Sequence, residues 1–217
     1  MGAEASFRVS DFGAMFSAMA DAMQAKRDDL CALDGAIGDA DHGISMALGF
    51  EAIRKGLTEA NPAPANPTEI LNFAAKTFLN AVGASTGPLY ATAFMRAATA
   101  MKGKDEASEA DIVEIVAAMA KGITDRGKAE VGDKTMLDAW DPAAKAARAS
   151  WAEHGDLRLA LQAGSMAAEK GAEATRDMTA RMGRASRLGD RSVGHIDPGA
   201  ASAAILMQVL AETLGGS

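Results

Sequence analysis

Cysteine is almost missing from this chain of 217 residues. Cys31 stands alone, so no internal disulfide can form, and a reducing compartment, the cytoplasm, is expected. Aromatic residues are scarce at 5%, with one Tyr and two Trp, which leaves the core to aliphatic residues, alanine and 13 methionines. Long apolar runs are lacking, and none approaches the ~20 residues that cross a bilayer as a helix. The opening stretch MGAEASFRVSDF shows neither a basic-then-apolar leader pattern nor a good myristoylation match. An excess of positive charge is missing as well: 29 acidic against 22 basic residues, net −7, argues against general nucleic-acid binding. Finally, no stretch alternates apolar and polar β-branched residues, so strands are not expected.

What is present is helical patterning. Phe12, Met15, Phe16, Met19 and Met23 recur at helical spacing, as do Ile112, Ile115, Val116, Met119 and Ile123. Ile70, Phe73, Ala74, Thr77, Phe78 and Ala81 form a third stripe, and Ile205, Leu206, Val209, Leu210 and Leu214 a fourth. Helix starts are marked at NPTE (Asn66, Pro67, Glu69), at SEAD (from Ser108) and at DPGA (from Asp197). Breaks fall at 61–67, 101–108, 125–134, 153–156 and 182–195, and Pro142 is expected to kink or restart a helix. The expectation is one all-α domain over residues 1–217, a bundle of about eight antiparallel amphipathic helices.

The chemistry-bearing residues gather in four glycine-rich joints. LDGAIGDADHGIS holds Asp34, Asp39 and Asp41, hard oxygen donors that suit Mg²⁺ or Ca²⁺ if a tight loop turns them inward. The competing reading is that Asp39 or Asp41 caps the following helix. VGASTGPLYATAF describes a bare turn entering a helix, where backbone N–H groups favour an anion, or simply a structural turn. GKAEVGDKTMLDAW approaches a P-loop but carries Asp133 as an extra residue and follows no strand, so that reading is rejected; Thr135 capping a helix beside a salt-bridged Lys134 is the plain alternative. GRASRLGDRSVGHIDPGA adds Arg184, within a basic island of Arg176, Arg181, Arg184, Arg187 and Arg191 that suits a compact anion such as a nucleotide phosphate. In an antiparallel bundle alternate joints share an end, so a Mg²⁺-nucleotide site at one end is a coherent reading.

The blocks LDGAIGDADHG, GASTGPLYATAF, GDKTMLDA and GRASRLGDRSVGHIDPGAAS resemble the signatures of the nucleotide-binding L subunit of dihydroxyacetone kinases. That resemblance implies a barrel of eight antiparallel helices binding ADP or ATP through two Mg²⁺ ions. It implies Asp34, Asp39 and Asp41 as metal ligands, and His42, Gly43, Ile44, Ser45, Ser85 and Thr86 against the nucleotide. Gly127 and Met136 would border adenine or ribose, Arg184 would meet the phosphates as the catalytic cation, and Asp197, Pro198 and Gly199 would close over the nucleotide. The partners implied are a ketose-binding K subunit and, in the phosphotransferase-linked branch, a phosphohistidine protein (M subunit) that recharges bound ADP. The length of a lone L chain points to that branch; an ATP-dependent ketose or ketotetrose kinase subunit and a nucleotide-bound regulatory adaptor are the alternatives. Two positions depart from the family pattern: Ala40 replaces the glycine of GDGDHG, and GASTG replaces GGASG.

Overall fold

The computed structural model describes residues 5–83 and 85–216. Among them lie nine α-helices: α1 (Val9–Ala25), α2 (Arg27–Ile37), α3 (His42–Glu59), α4 (Pro67–Ala81), α5 (Thr86–Ala100), α6 (Glu109–Gly127), α7 (Leu137–His154), α8 (Leu157–Ala174) and α9 (Pro198–Leu214). Helix follows helix around a ring, from α3 through α4, α5, α6, α7 and α8 to α9, and α1 closes it by packing on both α9 and α3. These eight form the barrel; α2 lies against α3 and α9 at one end. The all-α expectation holds, with one helix more than expected, because the chain bends at Lys26 (φ −98°, ψ 5°) and separates α1 from α2. A single short antiparallel pairing, Ser6–Phe7 (β1) with Ala107–Ser108 (β2), ties the N-terminal segment to the start of α6.

The core is continuous. Every residue of the α1 and α6 stripes named above is buried. Phe50, Phe78, Tyr90 and Phe94 meet at ring-centroid distances of 5.4–6.4 Å, so the few aromatics are concentrated between α3, α4 and α5. Each marked start carries its cap. Asn66 accepts from Glu69 N, Ser108 and Asp111 exchange bonds in a capping box, and Asp197 accepts from Ala200 N.

Pro142 does not restart a helix: it lies inside α7, which runs on through it to His154. It is the sixth residue of that helix, so the one intrahelical donor it removes is the partner of the Asp138 carbonyl, and the helix continues. Gly171 of α8 lies directly over that carbonyl, where a side chain would collide.

Helix contacts this close put opposite signs on two glycine substitutions. A Cβ at Gly122 would stand 2.7 Å from both Ala93 Cα and Thr92 O, backbone atoms that cannot swing away. At Gly13 a Cβ meets nothing within 4 Å. Gly13→Ala is expected to stabilise the protein by about 1 kcal/mol through helix propensity. Gly122→Ala, despite the same propensity gain, is expected to destabilise it by about 1–3 kcal/mol through overpacking. Urea unfolding of both variants checks the pair.

Candidate active site

The joints 37–42, 81–86, 127–137 and 174–198 all lie at one end of the ring, because each connects an even-numbered helix to the odd-numbered helix that follows. The N-termini of α3, α5, α7 and α9 therefore converge, each with backbone N–H groups that lack intrahelical partners. Between them opens a cavity of about 540 Å³, within the size range of cofactor sites.

Asp34 sits in the last turn of α2 and organises the loop that follows: its Oδ2 accepts from Asp41 N at 2.9 Å and from His42 N at 3.1 Å. It is Asp34, not Asp39 or Asp41, that caps α3; Asp41 occupies the N-cap position without a side-chain bond. One carboxylate oxygen from each of Asp34, Asp39 and Asp41 lies within 4.8 Å of the others. Gly38 permits this, since a Cβ there would collide with Asp34 Oδ1. Asp39 is paired with Arg184, while Asp34 and Asp41 have no ion-pair partner among the described residues. Three like charges at this spacing, only one of them matched by a cation, fit a divalent metal bound through hard oxygen donors. Ala40, between two of these carboxylates, adopts φ +61°, the left-handed region that favours glycine.

Of the other residues expected at the site, His42, Ser45, Ser85, Thr86, Gly127, Met136, Arg184, Asp197, Pro198 and Gly199 all line the cavity. Gly43 and Ile44 do not. Gly43 faces the Arg27 carbonyl where α3 presses on α2, and the Ile44 side chain is 55% exposed on the outer surface. His42 is buried, and its Nε2 is hydrogen-bonded to Ser202 Oγ at 2.9 Å. Burial drives its pKa down to about 4, against a smaller opposing pull from Asp34, so the ring is neutral near pH 7.

Lys134 departs most from expectation. It makes no salt bridge among the described residues; it is 1% exposed, adopts φ +62°, and its Nζ donates to the carbonyls of Thr175, at 2.5 Å, and His195. Burial lowers its pKa, with Asp197 the main opposing influence. Buried Asp138 also went unnoticed in the sequence: it accepts from Gly132 N at 2.5 Å and Thr135 N at 2.7 Å and shapes the 127–137 joint. The Thr135 hydroxyl contributes a longer bond from Leu137 N, at 3.2 Å. Leu89, Ile123, Ala129 and Met182 add an apolar wall to the cavity. Ile123 belongs to the apolar stripe of α6, so the sequence pattern marked it as core rather than as lining, and Leu89 carried no signal of its own.

The DAK2 domain family model matches residues 36–212, spanning all four joints. The chain belongs to the DAK2 domain family. This DAK2 chain is 42% identical, over 88% of its own length and 90% of the relative's, to the PEP-dependent dihydroxyacetone kinase ADP-binding subunit DhaL of Escherichia coli. It is 37% identical to the corresponding subunit of kinase 1 of Listeria innocua, over 94% and 93% of the two chains. It also superposes on the dihydroxyacetone kinase from C. freundii in complex with AMP-PNP and Mg²⁺, with a TM-score of 0.70 and 26% identity. That match covers 92% of this chain and 33% of the larger one.

Two effects at this DAK2 site are measurable without ligand. Ala40→Gly is expected to stabilise the protein by about 1 kcal/mol by relieving the left-handed alanine; urea unfolding tests it. Asp197, largely cut off from solvent, has its pKa pushed up to about 7 by burial, with the Ala200 N–H and Lys134 opposing and Asp138 and Asp34 adding to the rise. The native state therefore retains a proton that the unfolded chain releases above its ordinary value near 4. Stability falls as pH rises from about 4 to about 7, because the native state binds more protons over that window. Asp197→Asn, which keeps a capping oxygen, is expected to flatten this slope in unfolding measured across the window.

Proposed function

We propose that this chain is the nucleotide-binding subunit of a dihydroxyacetone kinase, holding ADP or ATP with Mg²⁺ in the cavity at the joint end of the barrel. The observation that carries the reading is the convergence of three carboxylates and four helix N-termini on one cavity. Helix N-termini favour phosphate, but carboxylates repel it, and the two belong together only with cations between them. Asp34, Asp39 and Asp41 would hold the metal, and three carboxylates offer enough oxygens for two Mg²⁺ ions. The metal, when bound, offsets phosphate charge and polarises the transferring group.

The remaining roles are those of binding and orientation. Ser45, Ser85, Thr86 and His42 would hydrogen-bond the phosphates and the groups around them, His42 as a neutral ring. Gly43 and Ile44, which do not line the cavity, would only support the first turn of α3 that carries His42 and Ser45. The apolar wall of Leu89, Ile123 and Ala129, bordered by Gly127 and Met136, suits the adenine face. Arg184, 56% exposed in its side chain at the mouth of the cavity, would meet the phosphates as phosphoryl moves, and the Asp197–Gly199 turn would close over the nucleotide. The acceptor is dihydroxyacetone or a related ketose, bound on a separate K subunit.

The donor is proposed to be a phosphohistidine protein, with ADP retained as a cofactor and rephosphorylated in place. This is supported by the relatives whose full length the chain nearly spans, which are named as ADP-binding subunits of PEP-dependent kinases. We propose a cytoplasmic location; among the described residues no helix is long and apolar enough to cross a membrane.

Asp39→Asn and Asp41→Asn are expected to abolish Mg²⁺-dependent ADP binding, measured by calorimetry, while helical circular dichroism is unchanged. Native mass spectrometry of freshly purified protein is expected to show ADP and Mg²⁺ carried through purification; an empty protein that binds Mg·ATP reversibly would instead favour ATP as donor.

A further inference from the structure

The arginine-bearing segment between α8 and α9 leaves and re-enters the barrel at nearly the same point. Gly194 N donates to Arg176 O at 2.7 Å, and Asp197 N donates to Thr175 Oγ1 at 2.9 Å. Within the loop, Ala180 N donates to Ser192 Oγ at 2.9 Å. Short 3-10 turns over Ala185–Ser192, interrupted at Gly189, follow Arg184. Ala180 and Ser192 are buried, while the arginines of the loop are exposed, and Arg187 and Arg191 form no ion pair among the described residues. The loop touches the barrel where the Ala185–Ser192 turns pack on α2, where Arg184 pairs with Asp39 and where Met182 meets the core, and one short stretch of the α6–α7 joint holds its two feet. Asp133 O accepts from Arg181 N at 3.1 Å, and Lys134 Nζ donates to Thr175 O and His195 O, one carbonyl at each foot of the loop.

Lys134 holds this position against its own backbone preference. Its φ of +62° suits glycine, yet glycine would bring no ammonium to the two carbonyls. Thr175 is the residue that follows the last turn of α8, where carbonyls lack intrahelical partners and a cation is favoured by the helix dipole. The ammonium thus bonds a carbonyl on each side of the loop: that of His195, and that of Thr175, which also accepts from Met178 N at 3.1 Å.

We infer that Lys134 is a positioning residue that clamps the two feet of the 176–194 loop and thereby sets Arg184 across the mouth of the cavity. The inference rests on the reading of Arg184 as a phosphate contact for its functional consequence, but the clamp itself is a property of the loop.

The test compares Lys134→Met with wild type, each with and without Arg184→Ala. Limited trypsin digestion, followed by mass spectrometry, reads the exposure of the loop at Arg187 and Arg191. Calorimetry with Mg·ADP reads the placement of Arg184. Lys134→Met is expected to speed cleavage at these two arginines about tenfold and to weaken Mg·ADP binding about tenfold, since small displacements of a binding group carry large penalties. Cleavage elsewhere and helical circular dichroism stay unchanged. In the Arg184→Ala background the same substitution changes Mg·ADP affinity less than about twofold, because the two residues act as one unit. Lys134→Gln, which keeps two N–H donors, is expected to recover part of both losses, and it serves if the Met variant loses helical signal. Unchanged loop cleavage, or an equal affinity loss in both backgrounds, would overturn the inference. So would collapse of both variants, since the lysine would then hold the barrel rather than the loop. If wild type itself binds no Mg·ADP, the proposed function fails, while the cleavage comparison still decides the clamp.

Discussion

A ring of antiparallel helices has only two ends, and everything chemical in this chain follows from that constraint. Joints alternate between the ends, so the four glycine-rich joints, separated by roughly forty residues along the sequence, become neighbours without any long-range specification beyond helix packing. Close packing supplies the rest. Gly122 of α6 against Ala93 of α5, and Gly171 of α8 against the Asp138 carbonyl of α7, remove side chains where backbones must approach. These contacts set the distances between helix ends, and hence the width of the cavity.

Electrostatics at that end run in two directions. Four converging helix N-termini present positive potential, while Asp34, Asp39, Asp41, Asp138 and Asp197 place carboxylates among them. Some of this acidity is consumed structurally: Asp34 and Asp138 accept two backbone N–H bonds each, and Asp197 caps α9. Among the described residues, Asp39 and Asp41 have no such backbone work. Asp39 leans on Arg184, an exposed pair worth little in water, about 0–1 kcal/mol. A weak, solvent-facing partner is easily exchanged, so the same carboxylate is available to a metal ion and the same guanidinium to a phosphate.

Much of this was legible in the sequence, and the part that was not shares a physical character. The caps at Asn66, Ser108 and Asp197 were readable because donor and acceptor lie three residues apart. The aspartate cluster was readable because its members span eight positions, although which of them caps α3 was not: capping by Asp34 depends on the loop folding back across seven residues. Lys134 was misread because its partners lie 41 and 61 residues downstream, and nothing local distinguishes a buried lysine from a solvated one. The break at Lys26 escaped for the opposite reason. No glycine, proline or capping residue stands there, and α2 turns aside because its far end must deliver Asp34 to the start of α3.

Backbone strain points to the same end of the barrel. The non-glycine residues with positive φ among the described residues are Ala40, Lys128 and Lys134, and all three lie in the joints that surround the cavity. Lys128 follows the last turn of α6, where a left-handed residue ends the helix and the side chain has open solvent. Lys134 is held by two carbonyls. Ala40 has neither excuse: it is exposed, its methyl group can form no compensating hydrogen bond, and that group lies close to where any side chain at Gly35 would stand. Strain of about 1–3 kcal/mol persists only where neighbouring structure over-determines it. Here the neighbours are Asp39 and Asp41, whose carboxylates can be turned to one point only if the residue between them reverses the chain. The cost carried by Ala40 is thus the conformational cost of assembling the carboxylate cluster.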